Sequence, residues 1–135
     1  MDAIEKLTKE RHSKNAFMHH NFMEVELVEM DRAVISLEVR PESKNPYGTV
    51  HGGAMFTLAD NATGTAAHTD GRSYLTQGGD LHFLSNVTHG IVRAEGRVRH
   101  RGRRTCLVDV DITGEDGTLL ATGAFTLFCV GEKKE

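Results

Sequence analysis

The chain has only two cysteines, Cys106 and Cys129, and their spacing matches no C-x-x-C pair. Neither a zinc site nor a disulfide framework is indicated, and reduced structural thiols are expected. Also missing is any apolar run near the roughly 18 residues that a membrane-spanning helix requires. The segment Met1-Asp2-Ala3-Ile4-Glu5-Lys6-Leu7 is charged from its second residue and lacks the apolar core of a signal peptide, so a cytoplasmic location is expected. No charge sign dominates: 16 Lys plus Arg stand against 19 Asp plus Glu, for a net charge of -3. The whole molecule therefore has no electrostatic bias toward nucleic acid, and any basic patch must be local.

Proline numbers 2 and glycine 14, with glycine pairs at Gly52-Gly53 and Gly78-Gly79. A length of 135 residues, with 39% hydrophobic and 26% charged residues, suits one soluble globular domain and excludes a disordered chain. Residues 1–22 carry sparse apolar anchors at Ile4, Leu7, Ala16 and Phe17, which suggests an N-terminal arm or helix; residues 23–135 read as the domain proper. From Met23, Val25 and Leu27 alternate with Glu24 and Glu26. After a turn at Met30-Asp31-Arg32, Ala33, Ile35, Leu37 and Val39 alternate with polar residues, the pattern of a hairpin with one buried face.

Pro41 to Thr49 reads as a loop by its Pro, Asn and Gly content. A helix then begins at His51, apolar on nearly all sides through Ala54, Met55, Leu58, Ala59, Ala62, Ala66 and Ala67, and ends at Asp70-Gly71. Strand signals follow at Tyr74 to Ser85, at Val92 to Arg99, at Thr105 to Ile112 and at Leu119 to Val130, with turns at Arg101-Gly102-Arg103 and Gly114 to Gly117. The expected class is α+β, an antiparallel sheet wrapped on one long central helix.

Asp60 is anomalous because it sits in the middle of this apolar helix, where an ionised carboxylate without partners is costly. It either faces a wet groove or a hydrogen-bonding loop, or it does chemistry. A second anomaly, His51-Gly52-Gly53, opens the same helix. Glycine there lets a ligand approach unpaired N–H donors at the positive end of the helix, where a thioester or similar carbonyl oxygen would be stabilised as it gains charge. The bland alternative is a tight turn with a satisfied histidine. Asp60 lies seven residues beyond Gly53, about 10 Å along the axis, so one helix cannot bring both groups to one carbonyl carbon. If they act together, the carboxylate must come from a second subunit across a two-fold axis.

The run from Asn45 through Val50-His51-Gly52-Gly53 to Leu58-Ala59-Asp60 resembles the signature of hotdog-fold acyl-CoA thioesterases of the PaaI-like group, and the resemblance extends from about Met23 to Val130. It implies Asp60 as general base or nucleophile and the Gly52 N–H as oxyanion donor. Asn45 and His51 would orient the thioester or the water, and Thr76 would help hold that water. It also implies a homodimer as the minimal catalytic unit, usually assembled into a tetramer, with acyl-CoA as substrate and no cofactor. Two departures stand out: Asn86 where the family often has proline, and Gly78 and Gly79 where side chains ordinarily line the acyl pocket, alongside Gly53 as substrate-binding positions.

Arg93, Arg97, Arg99, His100, Arg101, Arg103 and Arg104 form a basic cluster. Most of it is expected to be a solvated sheet face, with the hairpin tip Arg101, Arg103 and Arg104 as candidates for the phosphates of coenzyme A. No aromatics are interleaved, which disfavours nucleic acid. The eight histidines show no H-x-x-x-H spacing, so no metal is expected. A non-catalytic acyl-CoA or small-ligand binding module on the same fold is the alternative; a β-hydroxyacyl dehydratase lacks its motif here.

Overall fold

Alternation along the strands decides which face meets the helix. In a computed structural model that describes residues 2–132, Ala33, Ile35 and Leu37 of β2 (Arg32–Glu38), Val92, Ala94 and Gly96 of β4 (Ile91–Arg101), and Cys106, Val108, Val110 and Ile112 of β5 (Thr105–Thr113) are all buried. They pack under α3 (Gly52–Ala67), whose Leu58, Ala59, Ala62 and Ala66 are fully covered. The alanines let sheet and helix come close. At Gly96 the approach is closest, since a Cβ there would sit 2.7 Å from the Ala62 carbonyl oxygen, and only glycine fits.

With β1 (Met23–Glu29), β3 (Ser73–Phe83) and β6 (Leu119–Gly131), the sheet has six antiparallel strands in the order β1-β2-β4-β5-β6-β3. β3 follows the helix in sequence yet lies at the far edge, paired only with β6. A bulge between Thr76 and Gly78 breaks its register. Its outer surface is open: Leu75, Phe83 and the adjoining Leu84 are 65%, 54% and 59% exposed.

The N-terminal segment forms two helices, α1 (Ala3–His12) capped by Asp2 and α2 (Ala16–His20) capped by Asn15. They are tied to α3 by polar contacts: His12 Nε2 lies 2.9 Å from Thr65 Oγ1, and Asn15 Nδ2 donates to Asn61 Oδ1 at 3.1 Å. The expected loop before α3 contains one helical turn, Pro41–Ser43, where proline sits at the favoured first position. Met1 of the arm and residues 133–135 of the domain lie outside the described residues. No described helix is long and apolar enough to cross a membrane.

Candidate active site

α3 starts abruptly because His51 caps it. The His51 backbone is extended, at φ -63° and ψ 136°, and its Nδ1 accepts the Gly53 N–H at 2.8 Å. The His51 carbonyl takes the N–H groups of Ala54 and Met55. In the first turn, then, Gly53 already has a partner. The Gly52 N–H, which has no acceptor within the helix, donates to nothing among the described residues. This separates the two glycines: Gly52 keeps a donor for a ligand, while Gly53, expected to bind substrate, has no free N–H to offer.

Two further contacts hold this helix start in place. Asn86 brackets Val50, its Nδ2 donating to the Val50 carbonyl at 3.0 Å and its Oδ1 accepting the Val50 N–H at 3.2 Å. Phe83 lays its ring over Gly52, 3.5 Å from where a Cβ would stand, and so makes one side of the donor apolar. Asn45 is occupied within its own loop. Its Nδ2 donates to Thr49 Oγ1 at 2.8 Å and its Oδ1 accepts from Tyr47 and Thr49, so it shapes the 45–50 turn.

Two turns along α3, Asp60 is half-buried, and Thr76 at the β3 bulge donates its hydroxyl to Asp60 Oδ1 at 2.6 Å. The bulge turns Thr76 toward the carboxylate. The structure thus joins Asp60 and Thr76, and leaves Gly52 about 12 Å along the helix axis from Asp60 at 1.5 Å per residue. Both side chains line a hollow of about 290 Å³. A groove of about 840 Å³ between α1 and β1 is larger, but it contains neither Asp60 nor the helix start, and chemistry selects the smaller hollow.

Gly79 lies 2.5 Å, measured from an added Cβ, from the ring of buried Phe125, so its missing side chain serves packing and does not widen a pocket. Gly78 has open space beside it. Phe125 in turn touches Phe56, one turn before Asp60, with ring centroids 4.9 Å apart. Arg101 departs from its expected place at a free hairpin tip. It is mostly covered and bonds Asp31, Tyr74 and the Ala67 carbonyl at 2.8–2.9 Å, with Asp70 at 2.8 Å. Those contacts terminate α3 and leave it no role at a phosphate. Arg93, Arg97 and Arg99 pair with Glu26, Asp111 and Asp109. Arg103 and Arg104 remain exposed and form no ion pair among the described residues. Among those residues no group of three or more His, Cys, Asp or Glu is placed to hold a metal ion.

Sequence reasoning passed over Phe83 and the clamp made by Asn86, because each acts on a segment more than thirty positions away. Asn86 was visible only as a departure from proline.

A long central helix backed by an antiparallel sheet, with a carboxylate at its middle and a free N–H at its glycine start, defines a hotdog-fold hydrolase. The thioesterase superfamily model matches residues 47–121, more than half of the chain, and the chain belongs to that family as a thioester hydrolase. The acyl-coenzyme A thioesterase PaaI of Escherichia coli is 28% identical over 100 residues, 72% of this chain and 71% of that protein. The structure of E. coli PaaI superposes with a TM-score of 0.92, covering 96% of this chain and 95% of that one at 21% identity, which speaks for the fold. A hypothetical thioesterase from Streptococcus pneumoniae, solved with coenzyme A, is 31% identical with a TM-score of 0.79, over 83% of this chain and 91% of that one. Mutants of that protein, one with an aspartate and one with a threonine changed to alanine, have also been solved.

Proposed function

We propose that this protein is an acyl-CoA thioesterase working as a dimer, in which the Gly52 N–H of one copy and Asp60 with Thr76 of another converge on one thioester carbonyl. The observation that carries the reading is the 2.6 Å bond from Thr76 to Asp60 Oδ1, which engages one carboxylate oxygen and leaves the other free to take a proton or to attack. In the S. pneumoniae thioesterase the mutated aspartate and threonine are separated by the sixteen positions that separate Asp60 and Thr76 here, which supports a joint role. That protein's structure with coenzyme A and the PaaI relative support acyl-CoA as the substrate class.

The substrate's carbonyl oxygen lies against the Gly52 N–H, whose hydrogen bond strengthens as the oxygen becomes an oxyanion. Asp60 Oδ2 removes a proton from water, which adds to the carbonyl carbon; collapse of the tetrahedral intermediate breaks the C–S bond and returns the proton to the departing thiolate of CoA. Direct attack by Asp60, giving a mixed anhydride that water then opens, uses the same two groups. His51 acts by fixing the helix start through Gly53, and Asn45 by shaping the loop that leads to it. Exposed Arg103 and Arg104 are suited to the phosphates of CoA.

An Asp60→Asn variant should retain the circular dichroism and unfolding midpoint of the wild type while losing about 10²-fold or more of kcat in a thiol-release assay. Near-normal turnover in that variant would refute the assignment and favour a binding module.

A further inference from the structure

Along α3 from Asp60, the same 290 Å³ hollow runs past Gly64, Thr65 and His68, with Leu127 from β6 on one wall and Arg11 from α1 on another. At roughly 30 Å³ per water of the liquid, it has space for about ten waters, enough for the acyl part of a small thioester. Gly64 stands one turn beyond Asp60 on the same face, and a Cβ there would meet nothing within 4 Å. Glycine inside a helix costs about 1 kcal/mol relative to alanine, and here its bare backbone leaves the hollow open.

Arg11 is the unusual group in this wall. Four other part-buried arginines, Arg32, Arg72, Arg93 and Arg101, each hold a carboxylate. Arg11 is part-buried and, among the described residues, forms no ion pair. Its guanidinium donates to Thr65 Oγ1 at 3.2 Å and lies 3.3 Å from His12 Nε2. Thr65 gives its own proton to the Asn61 carbonyl, so it accepts from Arg11 and carries no counter-charge. Burial pulls Arg11 down to about 10, which leaves it charged at neutral pH. Beside it, His12 Nδ1 is buried without a partner. An arginine with no carboxylate partner among the described residues and with N–H donors still unused, in the wall of the hollow, offers an incoming anion a charge-assisted bond.

Resting on the thioesterase reading of Asp60, we infer that the hollow takes acyl groups that end in a carboxylate, with the thioester carbonyl at Asp60 and the terminal carboxylate on Arg11. Thr65, to which Arg11 is anchored, is five residues past Asp60, about 7.5 Å along the helix. An acyl chain of about five or six carbons, roughly 5 to 6 Å between its end carbons, covers most of that rise, and a hydrogen bond to Arg11 covers the rest. The substrate class is therefore the CoA monothioesters of short dicarboxylic acids. The planar fork of an arginine matches a carboxylate by two parallel bonds, which a neutral chain end of the same length cannot make.

The test compares matched pairs, glutaryl-CoA against pentanoyl-CoA and adipyl-CoA against hexanoyl-CoA. In the wild type, kcat/KM should favour the carboxylate-ended member by about 10- to 100-fold, the equivalent of one charge-assisted hydrogen-bonded pair. In Arg11→Met the ratio should collapse to about one. Each ratio is taken on one preparation, so partial loss of folded protein cancels. A wild-type ratio near one, or a preference that survives in Arg11→Met, overturns the proposal. If no thioester releases thiol, the hydrolase reading fails instead. The Kd ratio of the same pairs, measured by calorimetry on Asp60→Asn protein and on its Arg11→Met double variant, then decides the Arg11 site without turnover.

Discussion

Gly52 concentrates the chemistry of the helix start in one N–H, because its neighbour's is already bonded to His51 Nδ1 at 2.8 Å. Proline at this position isolates that single atom. It is well tolerated at the first helical residue, where the helix has no use for the N–H, and His51 already has the extended backbone that a residue before proline requires. The new Cβ would stand 3.5 Å from the Phe83 ring, an ordinary contact. Gly52→Pro should therefore unfold in urea at or slightly above the wild-type midpoint, by up to about 1 kcal/mol, yet lose about 10²- to 10³-fold in kcat. Wild-type turnover with the N–H removed would exclude Gly52 as the oxyanion donor. The pairing His51-Gly52-Gly53 with Asp60 was legible in the sequence as two anomalies in one helix. The family resemblance pointed to the Gly52 N–H as the donor; the residues alone did not separate the two glycines, because that depends on the direction of the His51 ring. Asn45 was read as a substrate-orienting group for the same reason: its type and place were visible, its bonds to Tyr47 and Thr49 were not.

At the scale of elements, α1 rests on α3 through a polar seam that includes His12 and His68. Both are held at about 4, by burial first; Arg11 then adds to the shift in each, while a bond to the Gly64 carbonyl opposes it at His68. In the unfolded chain histidine takes up its proton near 6.5. Between about 6.5 and 4 the unfolded state therefore binds more protons than the folded one. The stability from these neutral histidines is full above about 6.5 and declines as pH falls, by up to about 1.4 kcal/mol per pH unit for each. Urea unfolding at pH 7, 6 and 5 should show that decline, and His12→Gln should lessen its slope; a flat profile would contradict it. The strands were readable because a period of two puts Val108, Val110 and Ile112 on one face. The docking of α1 was not, since contacts such as His12 to Thr65 and Asn15 to Asn61 leave no apolar period. Arg101 was misplaced for a related reason, since Asp31 and Asp70 reach it from distant parts of the chain.

At the scale of the molecule, β3 presents an unpaired edge and exposed Leu75, Phe83 and Leu84, while Gly52 and Asp60 lie too far apart on one helix to share a carbonyl. A two-fold axis that crosses β3 at right angles, normal to the sheet, answers both conditions, since it pairs β3 with its copy antiparallel, extends the sheet and sets the start of one α3 beside the middle of the other. Complementation distinguishes this arrangement from a site within one chain. Gly52→Pro and Asp60→Asn homodimers should each be nearly inactive. When they are co-expressed, half of the dimers combine one chain of each kind. In such a dimer the Gly52 of the Asp60→Asn chain faces the Asp60 of the Gly52→Pro chain, which restores one site of two. Thiol release per chain should rise to about one quarter of the wild-type value at equal expression. Sites built within single chains would have no such rescue, because every chain would carry a lesion in its own site, and activity would stay at the level of the two parents.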